Sequence, residues 1–152
     1  MSILLDTNIL TRSSEPLHPL HRIAVDAVGL LLQRSEEILL VPQNFYEFWV
    51  VATRATAQNG LGMSPSQAAA ELIRFKIDFS VLDDVPAVFN VWNRLVLQYD
   101  IKGKNAHDAR LVAAMLVHGV SRLLTFNKAD FARYQSITAM SPHDIVSPPA
   151  VH

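Results

Sequence analysis

With 152 residues the chain has the length of one domain and buries about two-thirds of its unfolded surface. It contains no cysteine, which excludes disulfides, zinc–thiolate centres and thiol catalysis, and half of its residues are hydrophobic. The net charge of −1 gives no overall attraction for nucleic acid, although an acidic cluster offsets a local cationic rim in such a sum. Apolar runs are far shorter than the ~18 residues of a membrane span. No cationic leader precedes Ile3, so a cytoplasmic protein without a signal peptide is expected.

The chain opens on Ile3-Leu4-Leu5-Asp6-Thr7-Asn8, a buried strand over residues 3–5 that runs out on a carboxylate. Residues 19–33 follow as a helix, with Ile23, Ala27, Leu30 and Leu31 on one face. A second strand spans 38–41. Pro42 then opens a helix over 42–57 that Asn59-Gly60-Leu61-Gly62 breaks. Ser64-Pro65-Ser66-Gln67 has the form of a capping box and opens a helix to residue 76. A third strand covers 79–82, and a helix capped from Asp83 or Asp84 covers 86–99. Asn105 caps a helix over 106–118, ended by Gly119. A fourth strand (122–125), a helical turn (127–134) and a fifth strand (137–140) complete a domain of residues 1–141. The proline-rich stretch 142–152 is expected to be an irregular tail.

Strands separated by helices of this length predict an α/β fold, with a mostly parallel sheet of four to five strands and helices on both faces. Right-handed crossovers gather the strand ends that lead into helices on one edge, where such folds bind ligands. Four acids are candidates for that edge. Asp6 follows strand one, although an Asp there also simply stops a strand. Glu47 has Gln43, Asn44, Val50 and Val51 as its i±3 and i±4 neighbours, so no local ion pair accounts for it; its alternatives are a distant Arg or a gap to water. Asp108 lies beside Leu111, Val112 and Met115 at the rim of an apolar stripe, and also suits a helix N-terminus. Asp130 sits three residues after Asn127, an ordinary cap spacing.

Carboxylates gathered together repel unless a cation intervenes. With no Cys, and no histidine pair at ligand spacing among His18, His21, His107, His118, His143 and His152, the donors are all oxygen, which points to Mg²⁺ or Mn²⁺. Such a centre activates water for attack on phosphorus. Thr7, Asn8, Thr125 and Asn127 are expected to support the acids. Arg12, Arg54, Lys102, Lys104, Arg110 and Lys128 are candidate phosphate contacts, with solvated surface charge as the alternative. The aromatic run Phe45-Tyr46-Phe48-Trp49 reads as core or as a partner surface.

Four segments, in order, resemble the motifs of PIN domains: Ile3-Leu4-Leu5-Asp6-Thr7-Asn8-Ile9-Leu10; Pro42 to Arg54, around Glu47; His107-Asp108-Ala109-Arg110-Leu111-Val112-Ala113-Ala114-Met115; and Leu123 to Phe131, with Thr125 and Asn127. Together they span residues 3–131 and resemble the VapC-type toxins of bacterial toxin–antitoxin pairs. The resemblance implies a three-layer α/β/α sandwich and a metal-dependent ribonuclease. Asp6 and Asp108 would be its principal Mg²⁺ ligands, and Glu47 would complete the cluster. It also implies a homodimer, an RNA substrate and an antitoxin that blocks the acidic groove. Asn127 stands where many members carry an Asp, so Asp130 would supply that charge or the centre would hold one metal. Two alternatives are a catalytically inert PIN-like module that binds RNA or protein, and a receiver-like domain with its phospho-acceptor at Asp83 or Asp84.

Overall fold

The side-chain alternation of the first strand decides the layering. In the computed structural model, which describes residues 1–148, β1 (Ser2–Leu5) places Ile3 and Leu5 in one core and Leu4 in another. The second strand, β2 (Glu37–Leu40), does the same with Ile38 and Leu40 against Leu39. Strands apolar on both faces belong to a sheet covered on both sides. Three further strands complete it: β3 (Ser80–Val81), β4 (Arg122–Leu124) and β5 (Thr138–Met140). The order is β3-β2-β1-β4-β5, and every pairing is parallel.

Among the described residues seven α-helices cover the sheet: α1 (Thr7–Ser13), α2 (His21–Gln33), α3 (Pro42–Thr53), α4 (Pro65–Asp78), α5 (Pro86–Gln98), α6 (Asn105–His118) and α7 (Pro142–Val146). Ile9, Leu31, Phe48, Phe75 and Ile145, from α1, α2, α3, α4 and α7, join the core that holds Ile3 and Leu5. Val88, Leu95, Leu111, Val112 and Met115, from α5 and α6, join the core that holds Leu4. This is the expected three-layer α/β/α sandwich. From β1 the chain winds outward to β2 and β3, then returns to place β4 on the other side of β1. The carboxyl ends of β1 and β4 therefore flank the point where the winding reverses, which is the crevice such sheets use for ligands.

Several local readings differ from the sequence expectation; α6 starts at Asn105 itself behind Lys104 and α5 starts behind Val85, and neither has the side-chain cap expected from Asn105 or from Asp83 or Asp84. Residues 7–13 form α1, because the Asp6 carboxylate that ends β1 is also the cap of this helix, accepting from the Thr7 N–H at 2.7 Å. The third helix stops at Thr53 rather than residue 57. The loop beyond it folds back, and the N–H groups of Leu61 and Met63 bond the carbonyls of Val51 and Ala52. Gly60 makes that return possible, since a Cβ there would stand 2.1 Å from the Arg54 carbonyl oxygen. β3 is shorter than residues 79–82. Pro142 opens α7 instead of an irregular tail: Ser141 and Asp144 form a reciprocal cap, and Ile145 is buried where α7 packs on α2. Of the stretch expected to be irregular, residues 149–152, including Pro149 and His152, lie outside the described residues. No described helix is long and apolar enough to cross a membrane.

Candidate active site

Asp6 occupies the switch-point crevice. Its Oδ1 caps α1, and its Oδ2 accepts from the Thr125 hydroxyl at 2.8 Å and from the Asn8 amide at 3.4 Å. Thr125 follows β4 and is itself fixed by the Asn127 N–H, which donates to its Oγ1 at 3.0 Å. Asn8 also reaches across to accept from the Phe126 N–H at 3.3 Å. Three of the expected supporting residues, Asn8, Thr125 and Asn127, thus bind the ends of β1 and β4 to each other around one carboxylate.

The fourth, Thr7, connects the second acid. Its hydroxyl donates to Glu47 Oε1 at 2.8 Å, and among the described residues no cation is paired with Glu47. Asn44 holds Thr7 in turn. This side chain is fully buried; its amide donates to the Leu5 carbonyl at 3.0 Å and to Thr7 Oγ1 at 3.1 Å, while its Oδ1 accepts from the Val41 N–H at 2.8 Å. It ties together the ends of β1 and β2, a task sequence reasoning did not assign to it. The available signal was an Asn at the third position of a helix that starts directly from a buried strand.

Asp108 enters from the first turn of α6, on the opposite side of the sheet from Glu47. The four acids meet electrostatically at the edge. Burial, with the charges of Asp108 and Glu47, pushes the Asp6 carboxyl up to about 7 against the donation from Thr125 and Thr7. Burial also lifts Asp108, to about 6, aided by Asp130 and Glu47 and opposed by His107 and Arg133. Beyond burial, Glu47 raises both Asp6 and Asp108, so the acids share one electrostatic site. Arg133, exposed beside that site, was also missed; nothing in its local sequence marks it.

Beside Glu47 opens a cleft of about 440 Å³, lined by Gln43, Tyr46, Val50, Arg54, His107 and Arg110 among others. Two of the expected phosphate contacts, Arg54 and Arg110, therefore stand on the wall that also carries Glu47. The others are placed differently. Arg12 pairs with Glu15 at 2.7 Å, Lys128 with Asp144 at 2.9 Å and Lys102 with Asp100 at 3.7 Å, while Lys104 is exposed at the start of α6. The aromatic run divides: Phe45 and Phe48 are core, and Tyr46 is exposed.

All four acids offer oxygen donors, the chemistry of a hard divalent cation, and the like charges that add to burial in raising Asp6 and Asp108 are what such a cation would offset. Among the described residues no three His, Asp or Glu side chains already form a closed ligand group. The receiver-like alternative fails on position. Asp83 and Asp84 follow β3, an edge strand; the Asp83 carbonyl bonds His118, and Asp84 pairs with Arg110 at 3.1 Å.

A five-stranded parallel sheet in this order, sandwiched by helices with acids at the switch point, is the PIN-like α/β/α architecture. No family model matches the sequence, and no curated protein matches it. Solved structures do match. VapBC2 from Rickettsia felis, bound to a promoter DNA fragment, aligns at TM-score 0.69 and 16% identity over 93% of this chain and 98% of that one. VapBC-1 from nontypeable Haemophilus influenzae gives 0.68 and 13% over the same shares. The sarcin-ricin loop cleaving toxin VapC20 of Mycobacterium tuberculosis gives 0.60 and 17%, over 80% and 86%. The fold of this chain is that of the VapC-type PIN domains.

Proposed function

We propose that this chain is a divalent-cation-dependent endoribonuclease and the toxin of a toxin–antitoxin pair. The observation that carries the reading is the convergence of Asp6, Glu47, Asp108 and Asp130, from four separate elements, on one edge of the sheet, where burial and then like charge raise Asp6 and Asp108. The shared fold supports it, since one protein of that fold is a toxin that cleaves the sarcin-ricin loop and others stand in complexes with their antitoxins.

Asp6 and Asp108 would hold Mg²⁺ or Mn²⁺, with Glu47 completing the centre directly or through water. When bound, such an ion acidifies a water and stabilises the departing oxygen of a phosphodiester. Thr125 and Asn8 keep the Asp6 carboxylate turned toward the crevice, and Asn44, through Thr7, keeps Glu47 there. Arg54 and Arg110 would seat RNA phosphates in the cleft. Asn127 is neutral, and Asp130, one turn on, places its charge against Asp108 instead. A homodimer and an antitoxin whose cationic segment fills the acidic crevice belong to the same proposal.

The test is cleavage of a structured RNA by the purified chain in Mg²⁺ or Mn²⁺, with Asp6→Asn alongside. The proposal expects metal-dependent cleavage that EDTA stops and that the variant lacks. Equal cleavage by both proteins overturns it. Metal-independent RNA binding without cleavage would support the second reading, an inert PIN-like module, which the neutral Asn127 favours.

A further inference from the structure

The helices that carry Glu47 and Asp108 belong to different layers. Phe45, Phe48 and Ala52 anchor α3 in the core on one face of the sheet, whereas Ala109, Leu111, Val112 and Met115 anchor α6 in the core on the other. No shared core fixes the gap between them. Among the described residues a single hydrogen bond joins the two helices: the Gln43 side-chain amide donates to the His107 carbonyl at 2.8 Å. Gln43 lies one turn before Glu47, and His107 immediately precedes Asp108.

Gln43 is 96% buried by the complement of its 4% exposure, and its Oε1 has no hydrogen-bond partner among the described residues. A buried, unpartnered carbonyl oxygen is destabilising, because it loses its hydration without a replacement hydrogen bond. An apolar side chain of similar length would avoid that cost at the sole loss of the bond to His107. A glutamine here is therefore poorly accounted for by stability.

We propose that Gln43 is a positioning residue: a strut across the carboxyl edge that sets the separation of Glu47 and Asp108 for a shared divalent cation. This rests on the metal-centre reading above. Loss of a residue that orients metal ligands without touching the metal lowers affinity by about 10–100-fold. A residue kept only for packing would instead lower stability when replaced and leave the cation affinity of the folded protein unchanged.

The experiment titrates Mn²⁺ alone into wild type, Gln43→Met and Gln43→Leu, following the free-ion signal by electron paramagnetic resonance, with urea unfolding of the apo proteins in parallel. The expected result is Mn²⁺ binding weakened at least about tenfold in both variants, with apo stability equal to or above wild type. RNA cleavage at saturating Mn²⁺ should recover toward wild type, because the defect lies in cation capture. Wild-type affinity in either folded variant overturns the strut. Lowered stability with unchanged affinity also overturns it, in favour of a packing role. A wild-type chain that binds no Mn²⁺ overturns the metal-centre reading itself, and the strut with it.

Discussion

Replacing Asp6 by Asn should stabilise the metal-free protein, and the gain should depend on pH. The Asp6 carboxyl is raised from 3.8 to about 7, first by burial and then by Asp108 and Glu47. At about 1.4 kcal/mol per tenfold change in proton affinity, keeping this group ionised at pH 8 costs the fold roughly 4 kcal/mol. The folded state holds the proton more tightly than the unfolded state, so the stabilisation from protonation is complete below about pH 4 and is lost as the pH rises through 7. An Asn keeps the acceptor that caps α1 at Thr7, but turns a donor toward Thr125 and Asn8. That mismatch costs about 1 kcal/mol. The net gain at pH 8 is then about 3 kcal/mol, or roughly 10 °C in Tm for a chain of this size. At pH 5 the penalty on the wild type has fallen to about 1.6 kcal/mol, and the two proteins should agree within about 1 kcal/mol. Urea unfolding in EDTA at both pH values measures this. A variant no more stable than wild type at pH 8, or a gain of equal size at pH 5, would refute the picture of a repelling buried carboxylate.

Other expectations follow from the same structure. Asn44→Ala should cost about 2–3 kcal/mol in urea unfolding, because it strands the Leu5 carbonyl and the Val41 N–H at the ends of two central strands; a loss below about 0.5 kcal/mol, the size of an ordinary surface substitution, would show that the strands hold the edge unaided. Ile145→Ala should cost about 2–3 kcal/mol, since Ile145 is buried under α2 rather than lying in a loose tail; a neutral result would remove α7 from the core. Arg110→Ala breaks only a half-exposed pair with Asp84 and should leave Tm within about 2 °C. It should raise the KM for RNA several-fold with kcat little changed, and an unchanged KM would take Arg110 out of the substrate path.

The sheet was legible because its strands are short apolar runs separated by amphipathic helices, and Glu47 was legible as an acid without a local cation. What escaped was double duty at element junctions and contacts between residues distant in sequence. Asp6 ends β1 and caps α1, so the helix behind it was hidden by the strand in front. Pro142 looked like a helix breaker, yet it fits the first turn that Ser141 caps. Asn44 and Gln43 act through partners 37 to 64 residues away, and no periodicity reports such contacts. The ion pairs of Arg12 with Glu15, Arg110 with Asp84 and Lys128 with Asp144 were likewise not read from the sequence.

The most direct test of a carboxylate centre is anomalous diffraction from crystals soaked in Mn²⁺. The account predicts one strong peak within about 2.0–2.3 Å of oxygens from Asp6 and Asp108, beside Glu47. Well-occupied Mn²⁺ elsewhere on the molecule, with none between those two side chains, would contradict it.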